Sequence, residues 1–321
     1  MADLRTTYMG IQLKNPLIIG ANNLTSEPEK AKRMEDSGAA AIVYRSLFEE
    51  QVQWENRHLF EDGKDGLLEL KKGEKYPSTD TFLEELRKTK DALSIPVFGS
   101  LNAVNFESWI EYAKKIEQTG VDGLEINLYY VPNDFELMGR AIIQEKLDIV
   151  EAVINATQIP VAVKLSPFYT NPLYVIKEMD KLGADAFILF NKLFQPEVNV
   201  ETEEMRLPDT LSSSDEHNLP LRYTGLAYGN IDADICSSRG IYNAENAIAM
   251  ILAGANTFQI VSSIYKHGCD RIGYILKGIE EWMDKKSYSS LADFRGKLSR
   301  QNIKDPHVYR RAQYVDILLH G

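Results

Sequence analysis

The 321-residue sequence has only two cysteines, Cys236 and Cys269, and five histidines. Two thiols cannot build a disulfide framework, and an iron–sulfur cluster requires about four thiolates. Any such cluster would therefore have to come from another subunit. The histidines show no paired spacing of the kind that a metal site uses. The sequence predicts no metal bound by this chain alone.

Long apolar runs and an excess of positive charge are also missing. No apolar run approaches the length that crosses a membrane, and residues 1–5 lack the apolar core of a signal peptide. The net charge of −11 disfavours nucleic acid or an anionic membrane as the main partner. No linker rich in glycine, serine or proline divides the chain, so we expect a single domain over residues 1–321, with a helical tail from about residue 286. We expect a cytoplasmic protein, and the sequence leaves the formation of a homo-oligomer open.

A repeated motif organises what is present. Four times, a glycine ends a helical pattern and an apolar strand begins three or four residues later; these glycines are Gly38, Gly120, Gly183 and Gly254. With the remaining apolar runs, this makes eight strands that alternate with helices, which implies parallel pairing and a TIM (β/α)8 barrel. The expected strands cover residues 17–21, 41–44, 96–101, 124–128, 161–165, 187–190, 233–237 and 258–261. An open doubly wound sheet is the alternative, but the turn at residues 20–23 lacks the glycine-rich pattern that such a sheet uses.

Other segments decorate the barrel. Residues 6–9 and 11–13, split by Gly10, predict a short N-terminal β-hairpin. Ser26 is expected to cap the first helix. Long connections follow strand two (residues 47–80) and strand six (residues 192–219), and both emerge at the C-terminal face of the barrel. We interpret them as a lid over a central site. The alternatives are that they are surface loops without a role at the site, or that they form a subunit contact. Further helices are expected at residues 81–93, 106–119, 140–156, 172–182 and 244–252, and from residue 270.

The strand at residues 161–165 carries a lysine in an otherwise apolar run. Ala162, Lys164 and Ser166 share one face of this strand. A buried ammonium is costly unless something pairs with it, so Lys164 is unsuited to simple packing. Glu125, on the strand before, is either its buried partner or a carboxylate bonded to backbone at the barrel floor. An edge strand with Lys164 in water is the remaining alternative.

The predicted strand ends are rich in amides and hydroxyls and contain no carboxylate that would suit a divalent metal. They carry Asn22, Arg45, Ser46, Ser100, Asn102, Asn127, Lys164, Ser166, Asn191, Arg239, Gly240, Ser262 and Ser263. A single asparagine at a strand end is usually a turn former, whereas three of them on inward-facing rows indicate a site. The ends of the last two strands predict a phosphate site, to which Arg239 adds charge. A phosphate at one end and a lysine among amides in the middle suit flavin mononucleotide (FMN).

Five motifs, in order, resemble those of the dihydroorotate dehydrogenase family. They are Asn15-Pro16-Leu17, Gly99-Ser100-Leu101-Asn102, Leu124-Glu125-Ile126-Asn127-Leu128, Val163-Lys164-Leu165-Ser166-Pro167 and Phe190-Asn191. The resemblance covers roughly residues 4–285 and implies a FMN-binding barrel of the soluble class 1 type. It implies oxidation of dihydroorotate to orotate in pyrimidine biosynthesis, or the same chemistry on a related small cyclic or carboxylated substrate, with an electron acceptor that the sequence does not identify.

The resemblance also implies roles for individual residues. Lys164, Asn102, Asn127 and Asn191 would hold the flavin ring, and Gly240, Ser262 and Ser263 its phosphate. Ala21 and Asn22 would line the other edge of the ring, and Arg45-Ser46 stands where the family usually has Lys-Ser.

The sequence departs from the family where substrate binds. The loop that carries the class 1 catalytic cysteine reads Asn127-Leu128-Tyr129-Tyr130-Val131-Pro132-Asn133 and has no thiol. Lys192 replaces a serine or threonine after Asn191, Arg239 replaces a glycine before Gly240, and the substrate loop after strand two is not recognisable in residues 51–75.

We predict Tyr130, aligned with the missing cysteine, as the proton-transfer group. Lys192 would favour its ionised form or grip a substrate carboxylate, and Tyr129 and Asn133 would contact the substrate. The alternative is that both tyrosines only wall the pocket. Two other functions stay open: a flavin-free lyase or isomerase that uses Lys164 as a Schiff-base or proton-transfer lysine, and a non-catalytic flavin-binding protein.

Overall fold

The computed structural model describes residues 2–51, 78–192, 194–207 and 210–320. Eight parallel strands form a closed barrel, so the TIM (β/α)8 prediction is confirmed. The barrel strands are β3 (Leu17–Ile19), β4 (Ala41–Phe48), β5 (Val97–Asn102), β6 (Gly123–Asn127), β7 (Val161–Leu165), β8 (Ala186–Leu189), β11 (Asp234–Ser238) and β12 (Thr257–Ile260). Pairing of β12 with β3 and of β11 with both β8 and β12 closes the ring. The remaining strands form two hairpins, β1 (Thr6–Tyr8) with β2 (Ile11–Leu13) and β9 (Glu197–Asn199) with β10 (Glu204–Arg206).

Helices connect the strands and surround the barrel. They are α1 (Pro28–Asp36), α2 (Thr79–Ala92), α3 (Phe106–Glu117), α4 (Gly139–Ala156), α5 (Pro172–Lys181), α6 (Asn218–Ala227), α7 (Ala244–Ala253), α8 (Ser262–His267), α9 (Asp270–Lys286) and α10 (Ala312–His320). The predicted cap at Ser26 is wrong. Ser26 ends a 3-10 turn, and α1 begins at Pro28 after Glu27. Proline suits the first helical position because its fixed φ fits the helix and the missing N–H has no partner there.

Apolar residues occupy both faces of the barrel strands, as expected for a parallel sheet. Val161, Val163 and Leu165 belong to the large cluster between the barrel and its helices. Ala162, from the opposite face, belongs to a smaller cluster inside the barrel. The N-terminal hairpin completes this inner cluster with Tyr8, Met9 and Leu13. Hairpin β1–β2 therefore closes the end of the barrel opposite the C-terminal face.

The repeated glycine motif has a structural reason. In the repeats at Gly120, Gly183 and Gly254, the side chain of the third residue accepts a hydrogen bond from the start of the preceding barrel strand, whereas the repeat at Gly38 has an alanine there. Asp122 Oδ2 accepts from Val97 N at 2.7 Å, and Asp185 Oδ2 accepts from Val161 N at 2.8 Å. Asn256 Oδ1 accepts from Ile235 N at 3.1 Å in the same way. Each of these three repeats thus links two neighbouring strands at the N-terminal end of the barrel.

The two long connections are described to different extents. The first runs from β4 to α2, and residues 52–77 lie outside the described residues, as does most of the substrate loop sought at 51–75. The second contains hairpin β9–β10 and a 3-10 turn, Ser214–His217, before α6. The sequence analysis did not predict helix α6, which begins at Asn218 at the end of this connection, or the short helix α8. Among the described residues, no helix is both long and apolar enough to cross a membrane.

Candidate active site

Lys164 lies inside the barrel at its C-terminal end, bonded to Glu125 and Gln259. Its Nζ is 3.1 Å from Glu125 Oε1 and donates to Gln259 Oε1 at 3.4 Å. Gln259 Nε2 donates to the other oxygen of Glu125 at 2.6 Å. All three side chains are buried, so the edge-strand alternative for Lys164 is wrong and the pairing with Glu125 is observed. Gln259 was missed, although its place on an inward-facing row of the last strand was a usable signal.

The three predicted asparagines meet above this group. Asn102 Nδ2 donates to the backbone oxygen of Asn127 at 2.7 Å. Asn191 Nδ2 donates to Asn127 Oδ1 at 3.0 Å. Beside them, the hydroxyls of Ser46 and Ser100 are 2.7 Å apart on neighbouring strands. The carboxyl ends of β4, β5, β6 and β8 therefore present one hydrogen-bonded polar row.

A cavity of about 650 Å³ opens over this row, and we call it the main cavity. Most of the predicted residues line it: Ala21, Ser46, Asn127, Tyr129, Lys164, Asn191, Lys192, Arg239, Gly240 and Ser262. An adjoining second cavity of about 800 Å³ shares Ala21 and Ser46 and is lined by Asn22 and Arg45. The two cavities form one cleft on the C-terminal face of the barrel.

Asn22 and Arg45 are engaged in local contacts within the second cavity. Asn22 Oδ1 accepts from Leu24 N at 2.8 Å, and its Nδ2 donates to Gly20 O at 2.6 Å. The guanidinium of Arg45 lies 4.7 Å from the ring centroid of Phe82 and 3.4 Å from Glu85. Turn formation explains the contacts of Asn22, and its predicted role toward a cofactor stays a prediction.

The predicted phosphate end of the main cavity is covered by Ser212, which the sequence reading missed. Ser212 N and Ser212 Oγ donate to Ser262 Oγ at 2.9 and 3.0 Å. Gly240 N donates to Ser212 Oγ at 3.4 Å. The hydroxyl of Ser263 is buried and finds no hydrogen-bond partner among the described residues. Ser212 thus bonds to groups that follow both β11 and β12, and the phosphate site expected there stays a prediction.

Two cations of the main cavity share one carboxylate, Glu216, which was also missed. Arg239 Nε donates to Glu216 Oε2 at 3.1 Å, and Lys192 Nζ lies 3.8 Å from Glu216 Oε1. Burial acts to raise the pKa of Glu216, but the bond from Arg239 and the backbone bond from Ser213 outweigh it and lower that pKa. Glu216 is therefore ionised at neutral pH, and the predicted phosphate ligand Arg239 is paired with it.

The loop after β6 separates its two tyrosines. Tyr129 lines the main cavity, whereas Tyr130 lines a third cavity of about 640 Å³. Lys146 Nζ stands over the ring of Tyr130, 4.8 Å from its centroid. Asn133 is exposed and lines none of these cavities. The assignment of proton transfer to Tyr130 stays a prediction, and it is Tyr129, not Tyr130, that lines the same cavity as Lys164.

The donor set of the cleft is amide, hydroxyl, lysine and arginine. Within the described ranges, no group of three or more histidine, cysteine, aspartate or glutamate side chains could hold a metal ion. A closed (β/α)8 barrel with a buried lysine and polar strand ends over one large cavity is a ligand-binding barrel of the enzyme type, with its site at the C-terminal face.

The chain belongs to the dihydroorotate dehydrogenase family, whose family model, described as dihydroorotate dehydrogenase, matches residues 3–283. Similar curated proteins are named "Dihydroorotate dehydrogenase B (NAD(+)), catalytic subunit". The protein from Thermoplasma acidophilum is 28% identical over 304 residues, covering 92% of this chain and 99% of its own. That from Methanocaldococcus jannaschii is 27% identical over 276 residues, covering 83% and 89%. That from Pyrococcus abyssi is 27% identical over 300 residues, covering 91% and 98%.

Proposed function

We propose that the protein is a FMN-dependent oxidoreductase that oxidises or reduces a carbon–carbon bond of a small cyclic or carboxylated substrate. The observation that carries the proposal is the buried group of Lys164, Glu125 and Gln259 beneath the main cavity. Folding brings a cation into the barrel at substantial cost, at the position where family members hold their cofactor. The names of the similar proteins support the same reaction class.

The described residues fit FMN on three counts. The main cavity, about 650 Å³, lies within the range of about 300–1,000 Å³ typical of small-molecule sites. Lys164, Asn127 and Asn191 offer the charge and amide groups that the polar edge of a flavin ring requires. Arg239, Gly240 and Ser262 line the same cavity and offer the charge and the donor groups that a phosphate requires. When bound, FMN would supply hydride transfer; the chain itself would supply binding, orientation and proton transfer.

Proton transfer needs a group that can reach the substrate. Cys236 cannot replace the missing thiol of the family, because it is buried in the inner cluster and burial raises its pKa to about 12. Tyr130 is the residue that aligns with that thiol, and Tyr129 is the one that lines the main cavity. Because Tyr129 lines the cavity in which we expect the substrate to bind, we favour Tyr129 as the proton-transfer group and keep Tyr130 as the alternative.

A flavin-free lyase is less well supported. Schiff-base formation requires an amine that is free to attack a carbonyl, whereas Lys164 Nζ is engaged by Glu125 at 3.1 Å and by Gln259 at 3.4 Å. Borohydride reduction in the presence of aldehyde or ketone substrates would trap an adduct on Lys164 if this reading held. A non-catalytic flavin-binding protein is the other alternative, and turnover with any electron acceptor would exclude it.

The absorption spectrum of the purified protein tests the proposal. We expect a yellow protein whose released chromophore is FMN, bound near one per chain, and whose spectrum bleaches on anaerobic reduction and returns with an electron acceptor. A colourless protein that takes up no added FMN would refute the proposal. The acceptor would then be sought among fumarate, quinones, and nicotinamide cofactor supplied through a partner subunit.

A further inference from the structure

The segment formed by residues 210–217, which we call the clasp, covers one end of the main cavity. Ser212 bonds to both Ser262 Oγ and the backbone N–H of Gly240. The hydroxyl of Tyr242 donates to the backbone oxygen of Ser212. Lys192 Nζ donates to Leu211 O at 2.5 Å. The clasp is thus held largely by residues that line the cavity itself, namely Lys192, Gly240 and Ser262.

Glu216 adds a charge to this arrangement. Its Oε1 accepts from Ser213 N at 2.9 Å and faces Lys192 at 3.8 Å, while its Oε2 accepts from Arg239. The third donor group of Arg239, Nη1, bonds to Asn191 O at 3.4 Å. Arg239 therefore already has an ionic partner, and a ligand anion that takes the same face of its guanidinium displaces Glu216.

The backbone of Arg239 indicates that its side chain is required. Arg239 has φ of +85°, a region that residues other than glycine rarely adopt. Such a conformation is strained and persists only where other interactions hold it. Arg239 stands where the family resemblance implies a glycine, a residue that adopts this conformation without strain. Its ion pair with Glu216 is the interaction that offsets the strain.

We propose that Lys192 and Arg239 form an oxyanion-binding site in which Glu216 is the resident carboxylate. A ligand oxyanion entering the main cavity exchanges with Glu216, and the clasp is released as it binds. The site selects ligands with a carboxylate or phosphate group over neutral ligands of the same shape. This inference deepens the proposed function, because it names the anionic group of the ligand, yet it does not depend on flavin chemistry.

Titration with orotate and uracil, which share a ring and differ in the carboxylate, tests the exchange. Glu216→Gln removes the competing charge with little change in shape. We expect orotate to bind the variant about 3–10-fold more tightly than the wild type, with uracil unchanged. Glu204→Gln, the same charge change on the exposed strand β10, is the control and should leave both ligands unaffected. Equal or weaker orotate binding by Glu216→Gln, including no binding by either protein, would overturn a site for a substrate carboxylate. If Arg239→Gly then also leaves the preference for FMN over riboflavin unchanged, the whole proposal is overturned.

Hydrogen exchange of the clasp amides gives a second measurement. Orotate should speed exchange of the Ser212 and Ser213 amides in the wild type, and Glu216→Gln should show that faster exchange without ligand. A clasp that orotate protects would contradict exchange of the two carboxylates. Because exchange and titration require no redox turnover, they succeed or fail separately from the flavin spectrum that tests the proposed function.

Two sources of the oxyanion are separated by cofactor binding. If the site takes a substrate carboxylate, Arg239→Gly weakens orotate binding several-fold and leaves the preference for FMN over riboflavin unchanged. If it takes the cofactor phosphate, Arg239→Gly reduces that preference, and orotate binding by the FMN-loaded protein no longer responds to Glu216→Gln. An Arg239→Gly variant that changes neither preference would refute an oxyanion site at this position.

Discussion

At the scale of single residues, Lys164 combines a charge with nearly complete removal from water. Its ammonium has Glu125 and Gln259 as partners inside the barrel. A charge-assisted contact of this kind is worth about 1.5–3 kcal/mol. Lys164→Ala is therefore expected to lower flavin affinity roughly tenfold or more, or to make the bound flavin harder to reduce. The flavin-to-protein ratio after gel filtration and the reduction potential measure these effects.

The control for Lys164→Ala is Lys181→Ala, which removes a lysine that is ion-paired with Glu178 on the outer surface. Surface pairs contribute little, so flavin content should not change. A Lys164→Ala protein that keeps full flavin at an unchanged potential would disprove the role given to Lys164.

The two neighbouring tyrosines provide a second prediction at this scale. Tyr129→Phe removes a hydroxyl from the main cavity, and Tyr130→Phe removes one from the third cavity. Positioned acid–base groups contribute about 10²–10⁴-fold to rate. We expect Tyr129→Phe to lose that factor in the rate of substrate-dependent flavin reduction while FMN stays bound, and Tyr130→Phe to lose much less. The opposite pattern would assign proton transfer to Tyr130, and two active variants would place it on neither.

At the scale of elements, the barrel is held by short polar ties as well as by its apolar layers. Asp185, which precedes β8, accepts from Val161 N at the start of β7. Removing the acceptor leaves a partly buried N–H without its partner, at a cost of about 1–3 kcal/mol. Asp185→Ala should lower the free energy of unfolding by this amount, measured by urea denaturation.

Asp185→Asn is the matched variant, because it keeps an acceptor oxygen in the same place. We expect it to retain most of the stability that Asp185→Ala loses. If both variants are as stable as the wild type, the repeated motif does not contribute to stability through this bond.

The connection after the sixth barrel strand contains the two site residues that could not be predicted from the sequence, Ser212 and Glu216. Its length indicated function, but nothing in its local pattern singled out Ser212 or Glu216. Their importance depends on which groups they reach, Ser262 and Arg239, which lie 50 and 23 residues further along the chain. Local periodicity carries no information about contacts of this kind.

At the scale of the whole molecule, most of the residues that the family resemblance assigns to the flavin line one cavity, whereas those it would assign to the substrate are altered. The thiol base is missing, and Lys192 and Arg239 have joined the cavity. We expect dihydroorotate to reduce the enzyme-bound flavin at least about 10²-fold more slowly than in class 1 members, the lower end of what a positioned base contributes. Anaerobic stopped-flow bleaching of the flavin is the measurement. Rapid dihydroorotate oxidation that survives in both tyrosine variants would contradict this prediction and place the base elsewhere.

The sequence by itself determined the barrel, the N-terminal hairpin and the residues at the strand ends. Strand β7 occupies residues 161–165 as predicted. An apolar run that follows a proline and ends at a polar turn can be recognised as a buried strand from the local sequence alone. The sequence also placed Lys164 and Glu125 on adjacent strands, and their pairing was one of the two interpretations that it allowed for Glu125.

Tertiary structure decided which of these side chains meet. Gln259 reaches Glu125 across 134 residues of chain only because the last strand closes the ring near the first. Glu216 comes between Lys192 and Arg239 because a long connection folds back over the cavity. Tyr129 and Tyr130 are neighbours in sequence, yet they line different cavities, because the path of the loop after β6 separates their side chains. Contacts of this kind follow from ring closure and loop path, which no local pattern encodes.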